Sequence, residues 1–442
     1  MFKRKSKTQK PIKLHTFKSY YLDKHNLVLL YKKGRGVNVE YARFKFVLFL
    51  AIGFFVVAIL LSTMATTGHA ADNDLPLNIG DDMSQSVDDL LNGLDLSHLE
   101  DILKQMTEQQ RNLFGGSSFL ERIRATINGS IGIDFGSFVD FIFYLLGVSV
   151  VGFLPLLAMM IAISLTYNIM SQIKGKFASE STDRIIYFAC VSAITVLLLT
   201  TTGMMIVEVS QTIGTVRSLA TSVFPILLTV MTGIGATSSA AVYQPSVAIF
   251  SVTLIELVTL VAVPVFIMSF VFNIVGNLSP NIKLDHLGKF FNSGANWLMG
   301  TMFFLFLAFL SLQGVTASVF DGISIRTAKF AISRYIPIIG GYLSEGFNLV
   351  MAGGVLIKNA VGLSTIILLF ASVLPLIINL VAFSLILKFG AAIIQPMGDS
   401  NIPNILSGVG KQVSIMAVVV VALLFLFFIF LLLIISTGNL MI

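Results

Sequence analysis

The chain has 442 residues, of which 55% are hydrophobic and only 12% charged, about half the charged share of a soluble globular domain. Its apolar residues gather in runs of about 20 or more, the length at which a helix crosses roughly 30 Å of hydrocarbon, and this excludes a soluble fold. The net charge of +6 does not describe a nucleic-acid surface, because 13 of the 29 Lys and Arg lie between Lys3 and Lys45, ahead of the first apolar run, as in a cytoplasmic flank.

Residues 1–45 therefore read as a basic cytoplasmic leader, which can also meet anionic headgroups. Residues 46–70 follow as a signal peptide or a first transmembrane span. The apolar run Phe46–Leu61 and the small residues ending in Gly68-His69-Ala70 fit cleavage after Ala70, whereas the long leader fits an uncleaved span. Residues 71–137 carry twelve Asp and Glu against four Lys and Arg. The reversed sign places this acidic segment outside the cell membrane. Within it Val87, Leu90, Leu91, Leu94, Leu96, Leu99, Ile102 and Leu103 recur at helical spacing, and Phe119 to Ile127 predicts a further amphipathic helix. Asp81-Asp82 and Asp88-Asp89 lack the alternating oxygen ligands of a calcium loop and read as a solvated face.

Residues 138–442 form the polytopic membrane domain. Seven spans are expected after the first run, near 141–168, 185–207, 219–241, 247–275, 297–319, 363–387 and 413–435. The fold class is all-α, a polytopic helical bundle in the membrane with a short acidic extracytoplasmic N-terminal segment, since only helices and closed barrels satisfy their backbone groups in lipid. Pro155, Pro225, Pro264 and Pro375 sit inside spans as kinks. Gly233-x-Gly235 through Ala241 reads as a packing face or a broken helix.

Seven full crossings put Lys174, Lys176 and Arg184 inside but leave Arg217, Lys283 and Lys289 outside. If Pro225 to Tyr243 turns back, the loop with Lys283 and Lys289 returns to the cytoplasm and every later assignment reverses. Residues 320–362 are an interfacial or re-entrant region. Arg326, Lys329 and Arg334 reach for headgroups there from a helix that Pro337 and Gly340-Gly341 end.

Catalytic constellations are missing. The five histidines, His15, His25, His69, His98 and His286, never pair on one span, which removes zinc-protease and di-metal patterns. No serine sits in Gly-x-Ser-x-Gly, and the single cysteine, Cys190, excludes an intrachain disulfide. Trp297 and Tyr144 fit interface anchors. Among ionisable groups, Glu208 falls at a span end, while Glu256 falls within a span and is the candidate in-membrane polar site.

Polar and small residues strung through the apolar chain carry a more specific signal. Leu312-Gln313-Gly314 through Phe330, Tyr335-Ile336-Pro337-Ile338-Ile339-Gly340, Leu356-Ile357-Lys358-Asn359-Ala360-Val361-Gly362 and Ala392-Ile393-Ile394-Gln395-Pro396-Met397-Gly398 occur in order. With Ser238-Ser239-Ala240-Ala241 and Ser436-Thr437-Gly438-Asn439, they resemble the stage III sporulation protein AE family. The resemblance implies a non-enzymatic membrane subunit, with no cofactor, of a transenvelope channel complex in endospore-forming bacteria. It also implies residence in the mother-cell membrane around the forespore and partnership with the other stage III sporulation A-operon proteins and, through them, stage II sporulation protein Q. Gln313, Gly314, Asp321, Gly322, Arg326, Lys329, Pro337, Lys358, Asn359, Gln395 and Pro396 are the structural or assembly residues expected from it. The alternatives are a stand-alone secondary transporter, and a related membrane subunit of another envelope or conjugative export system.

Overall fold

The computed structural model describes residues 87–115, 118–129, 135–177, 180–278, most of 287–313, Phe330, 340–397 and 401–437. The leader, residues 46–70 and the expected sites Gly314, Asp321, Gly322, Arg326, Lys329 and Pro337 lie outside them. Every regular element among the described residues is helical.

The acidic segment folds into short helices, beginning at residues 87–92 and continuing as α1 (Ser97–Lys104), α2 (Glu108–Phe114) and α3 (Phe119–Ile127). Their ends are set by local chemistry. Thr107 and Gln110 form a reciprocal capping box at the start of α2, and Gly115 ends that helix at φ +72°. Ser118 caps α3, with the Glu100 carboxylate accepting from the Phe119 N–H at 2.6 Å. Leu99, Ile102, Leu103, Phe114, Phe119 and Ile123 are buried, with the Phe114 and Phe119 rings stacked on each other.

The membrane bundle consists of α4 (Phe135–Phe177), α5 (Glu180–Gly233), α6 (Thr237–Ala248), α7 (Val263–Leu278), α8 (Asn296–Gln313), α9 (Gly340–Ile394) and α10 (Asn401–Ser436). Residues 249–262 join α6 to α7 without a break, so six described helices are long and apolar enough to cross a membrane. The expected spans 185–207 and 219–241 are not two crossings. Residues 185–207 and 219–233 belong to α5, one helix of 54 residues and about 80 Å at 1.5 Å per residue, while 237–241 open α6. The polar interval from Glu208 to Ser218 that reads as a loop stays helical because distant partners satisfy its charges: Asn379 meets Glu208 and Glu256 meets Arg217.

Central to the bundle is α9, with 72% of its most apolar window buried against 22% for α4. It packs on α4, α5 and α10. Helix α10 lies antiparallel to it, with Ser384 bonded to the Gly410 carbonyl at one end and Lys358 to the Thr437 carbonyl at the other. Helix α4 runs parallel, pairing Ser149 with Asn379 and Phe153 with Phe383. Since lipid tails are as apolar as these side chains, close packing and interhelical hydrogen bonds hold the helices together. Residues 340–362, expected at the interface or re-entrant, form the first part of α9, continuous with its apolar remainder.

Candidate functional site

The hairpin of α5 and α6 turns at Gly233-Ile234-Gly235-Ala236. The Ala236 N–H donates to the Met231 carbonyl at 2.9 Å and the Gly235 N–H to the Thr232 carbonyl at 3.1 Å, with Gly235 at φ +84°. This is the paired bonding of a helix ended by a left-handed glycine. The small-residue patch is thus the broken-helix alternative, and it folds α6 back along α5.

A groove of about 650 Å³ runs between the two helices, lined by Thr221, Pro225, Leu228, Thr229 and Thr232 on α5 and by Thr237, Ala240, Ala241, Gln244, Val247, Ala248 and Ser251 opposite. Thr221, Thr229 and Thr232 turn their hydroxyls back onto carbonyls four residues earlier, which satisfies their donors inside the helix. Two prolines do the reverse. Pro225 and Pro245 have no N–H, so the carbonyls of Thr221 and Ala241 lose their helical donors.

Beyond Ser251 the groove meets an ion pair between Arg217 and Glu256, each side chain a little over 40% exposed. Glu256 occupies a single α-helical turn, Ile255–Leu257, between the π-helical segments Ile249–Leu254 and Val258–Ala262. A π-turn takes up about one residue more than an α-turn. In an uninterrupted α-helix the position seven past Ala248, Ile255, would share the groove face. The wide turns bury Ile255 completely and bring Glu256 to Arg217 instead. The in-membrane acid expected from the sequence is therefore one half of an ion pair.

Two further polar contacts join helices. The Asn379 amide in α9 donates to Glu208 of α5 at 3.0 Å and accepts from Ser149 of α4. At the other end of α9, Lys358 is fully buried and donates to the Thr437 carbonyl, while the Tyr243 and Thr437 hydroxyls share a hydrogen bond of 3.0 Å. Beside them the Asn359 side-chain oxygen is buried without a partner. Gly362 packs so tightly on Ile435 that a Cβ would not fit. The stretches 356–362 and 436–437, which carry part of the resemblance, thus meet in space. Gln313 accepts from Ser246 and ties α8 to α6, and Gln395 and Pro396 occupy an exposed 3-10 turn after α9. The expected residues Gln313, Lys358, Asn359, Gln395, Pro396 and Glu256 do not converge on one centre.

Sequence reasoning missed Asn379 and Tyr243, although an amide alone in an apolar run was a usable signal. It also missed Gln110. The Gln110 side-chain N–H donates to the Ala371 carbonyl at 2.9 Å, and Pro375 of α9 lacks the N–H that would otherwise bond that carbonyl. A residue of the acidic segment fills the gap a proline leaves in the central helix. In the same segment Arg122 is 5% exposed and lies 5.7 Å from the centre of the Phe114 ring. Burial pushes its guanidinium down to about 10.

Among the described residues no cluster of His, Cys, Asp and Glu could hold a metal. Three threonine hydroxyls bonded to backbone, the Ser251 hydroxyl, one amide and a neutralised ion pair offer polarity and hydrogen bonding, with no base placed beside a hydroxyl to activate it.

The model of stage III sporulation protein AE matches residues 117–438. The chain belongs to the stage III sporulation protein AE family. Stage III sporulation protein AE of Bacillus subtilis (strain 168) is 25% identical over 285 residues, covering 64% of this chain and 71% of that protein. No solved structure matches. The family match includes α3 to α10 and the hairpin groove, and it makes the chain a non-enzymatic membrane protein of sporulation.

Proposed function

We propose that this family member is a subunit of a multiprotein transenvelope channel, a secretion-like assembly required for endospore development, in the mother-cell membrane that engulfs the forespore. Its partners in this reading are the other stage III sporulation A-operon proteins and, through them, stage II sporulation protein Q. Supporting it most directly is the family match over nearly the whole membrane bundle, in a bundle whose polar groups tie helices together instead of forming a reaction centre. Gln313, Lys358 and Asn359 act within the packing of the subunit. Gly314, Asp321, Gly322, Arg326, Lys329, Pro337, Gln395 and Pro396 supply contacts to partners or headgroups. Residues 71–137 face the space between the two membranes, where the acidic helices meet those partners.

The test is photo-crosslinking from residues 320–362 in sporulating cells. Recovery of other envelope proteins of sporulation is the expected result. Recovery of this protein alone, with normal spores after deletion of its gene, overturns the reading. The groove volume also suits a small-molecule site and favours a second reading, a stand-alone transporter. Purified protein in liposomes would then move solute without partners, whereas a channel subunit would not.

A further inference from the structure

A layer of aromatic rings fixes the depth of the hairpin groove in the bundle. Phe224 of α5 lies 5.8 Å from Phe250 and 4.5 Å from Phe430 of α10, and Phe250 lies 5.6 Å from Phe306 of α8. All four rings are buried, so Phe224 and Phe306 mark one level. At that level the two flanks differ in chemistry. On α8, Phe304 is 69% and Leu305 55% exposed, as suits contact with lipid. On α5, the outward positions around Phe224 are Thr221, Pro225 and Thr229, on the wall of the groove.

Farther along α5 the outward face is apolar, with Ile185, Phe188, Val196, Leu199 and Val207 exposed. From Gln211 onward the same stripe turns polar, through Ser218, Thr221, Thr229 and Thr232. Lipid cannot satisfy what lies there. The Thr221 and Ala241 carbonyls have lost their helical donors to Pro225 and Pro245, and Ser251, only 6% exposed and lining the groove, has a hydroxyl without a hydrogen-bond partner. Each such group left bare in hydrocarbon costs several kcal/mol.

We propose that the α5–α6 groove is a water-filled wall at the depth of the lipid-facing flank of α8, lining a passage for small hydrophilic molecules, with the Arg217–Glu256 pair at its inner end. This deepens the channel reading and rests on it. Thr, Gln and Ser side chains with two freed carbonyls replace a solute's hydration, and the paired charges leave the wall without a net sign. The passage therefore selects by polarity and size, not by charge sign.

The experiment uses the full chain with Cys190→Ser, carrying single cysteines in membranes from sporulating cells and probed with a charged, water-soluble methanethiosulfonate. Thr229→Cys and Gln244→Cys test the groove, Phe304→Cys the opposing flank at the same depth, and Val207→Cys the apolar stripe. The groove cysteines are expected to react about tenfold or more faster than the other two, since only a hydrated thiolate reacts well. Equal, fast labelling of Phe304→Cys overturns the proposal by placing the whole level outside the bilayer. Unreactive groove cysteines overturn it as well, whether lipid-soluble maleimide then labels them (a lipid cover) or oxidation links two chains (a second copy over the groove). Partners recovered by crosslinking from the same membranes keep the two readings apart. An unlabelled groove with partners present sinks only the conduit wall, and a labelled groove without partners sinks only the assembly.

Discussion

Gln110 does two jobs with one amide, and substitution can separate them. Its oxygen accepts from the Thr107 backbone N–H at 2.8 Å and caps α2, while its nitrogen donates to the Ala371 carbonyl at 2.9 Å. Gln110→Glu keeps the capping oxygen and removes the donor, setting a carboxylate against a carbonyl on a fully buried residue. Leaving that acceptor unmet costs about 1–3 kcal/mol, a roughly 5- to 150-fold rise in local opening of α1 to α3. Hydrogen exchange or native-state proteolysis of residues 97–127 in the detergent-purified protein reads that opening. Pro375→Ala supplies the missing helical N–H, so in that background Gln110→Glu should cost little, and the double-mutant cycle should show coupling of at least about 1 kcal/mol. Equal losses in both backgrounds would refute the idea that Gln110 answers the proline.

Glu256→Gln and Arg217→Ala should each lower the unfolding temperature in detergent, with a cost near 1 kcal/mol because the pair is partly exposed, and the exchange Arg217→Glu with Glu256→Arg should recover most of the loss. Gly362→Ala should cost about 1–3 kcal/mol by forcing Ile435 and α10 away, read by chemical denaturation. Tyr243→Phe removes one buried hydrogen bond to Thr437 and should cost about 1 kcal/mol by the same measurement. Arg122→Met should leave the melting temperature of the acidic segment unchanged or higher. Burial depresses the guanidinium to about 10, so the folded state disfavours the cation at every pH below that value, and the penalty fades only as pH rises through it.

Hydropathy made the membrane bundle legible, and Val87 to Ile127 announced helices by their spacing, because both patterns are local. The error over α5 has a non-local origin. Glu208 and Arg217 look like a loop when only neighbours are counted, yet their partners Asn379 and Glu256 lie on other helices. Lys358 and Asn359 stood out through the family resemblance, but the meeting of Lys358 with Thr437 depends on how α9 and α10 align. The groove was partly visible in Thr221, Pro225, Thr229 and Thr232, which follow helical spacing. Pro225 alone reads as a tolerated kink, whereas the carbonyl it frees gains meaning only beside α6. The π-turns around Glu256 leave no mark in composition at all, since they show only in backbone bonding.

The contact between Gln110 and Ala371 also carries information about order. Its two ends lie 261 residues apart, so during synthesis the acidic helices emerge long before the vacancy they fill exists. They can engage it only after α9 has been threaded into the membrane beside α4 and α5. The N-terminal helices thus act as a latch that closes last, and a chain arrested before α9 would hold them loose and open to proteases.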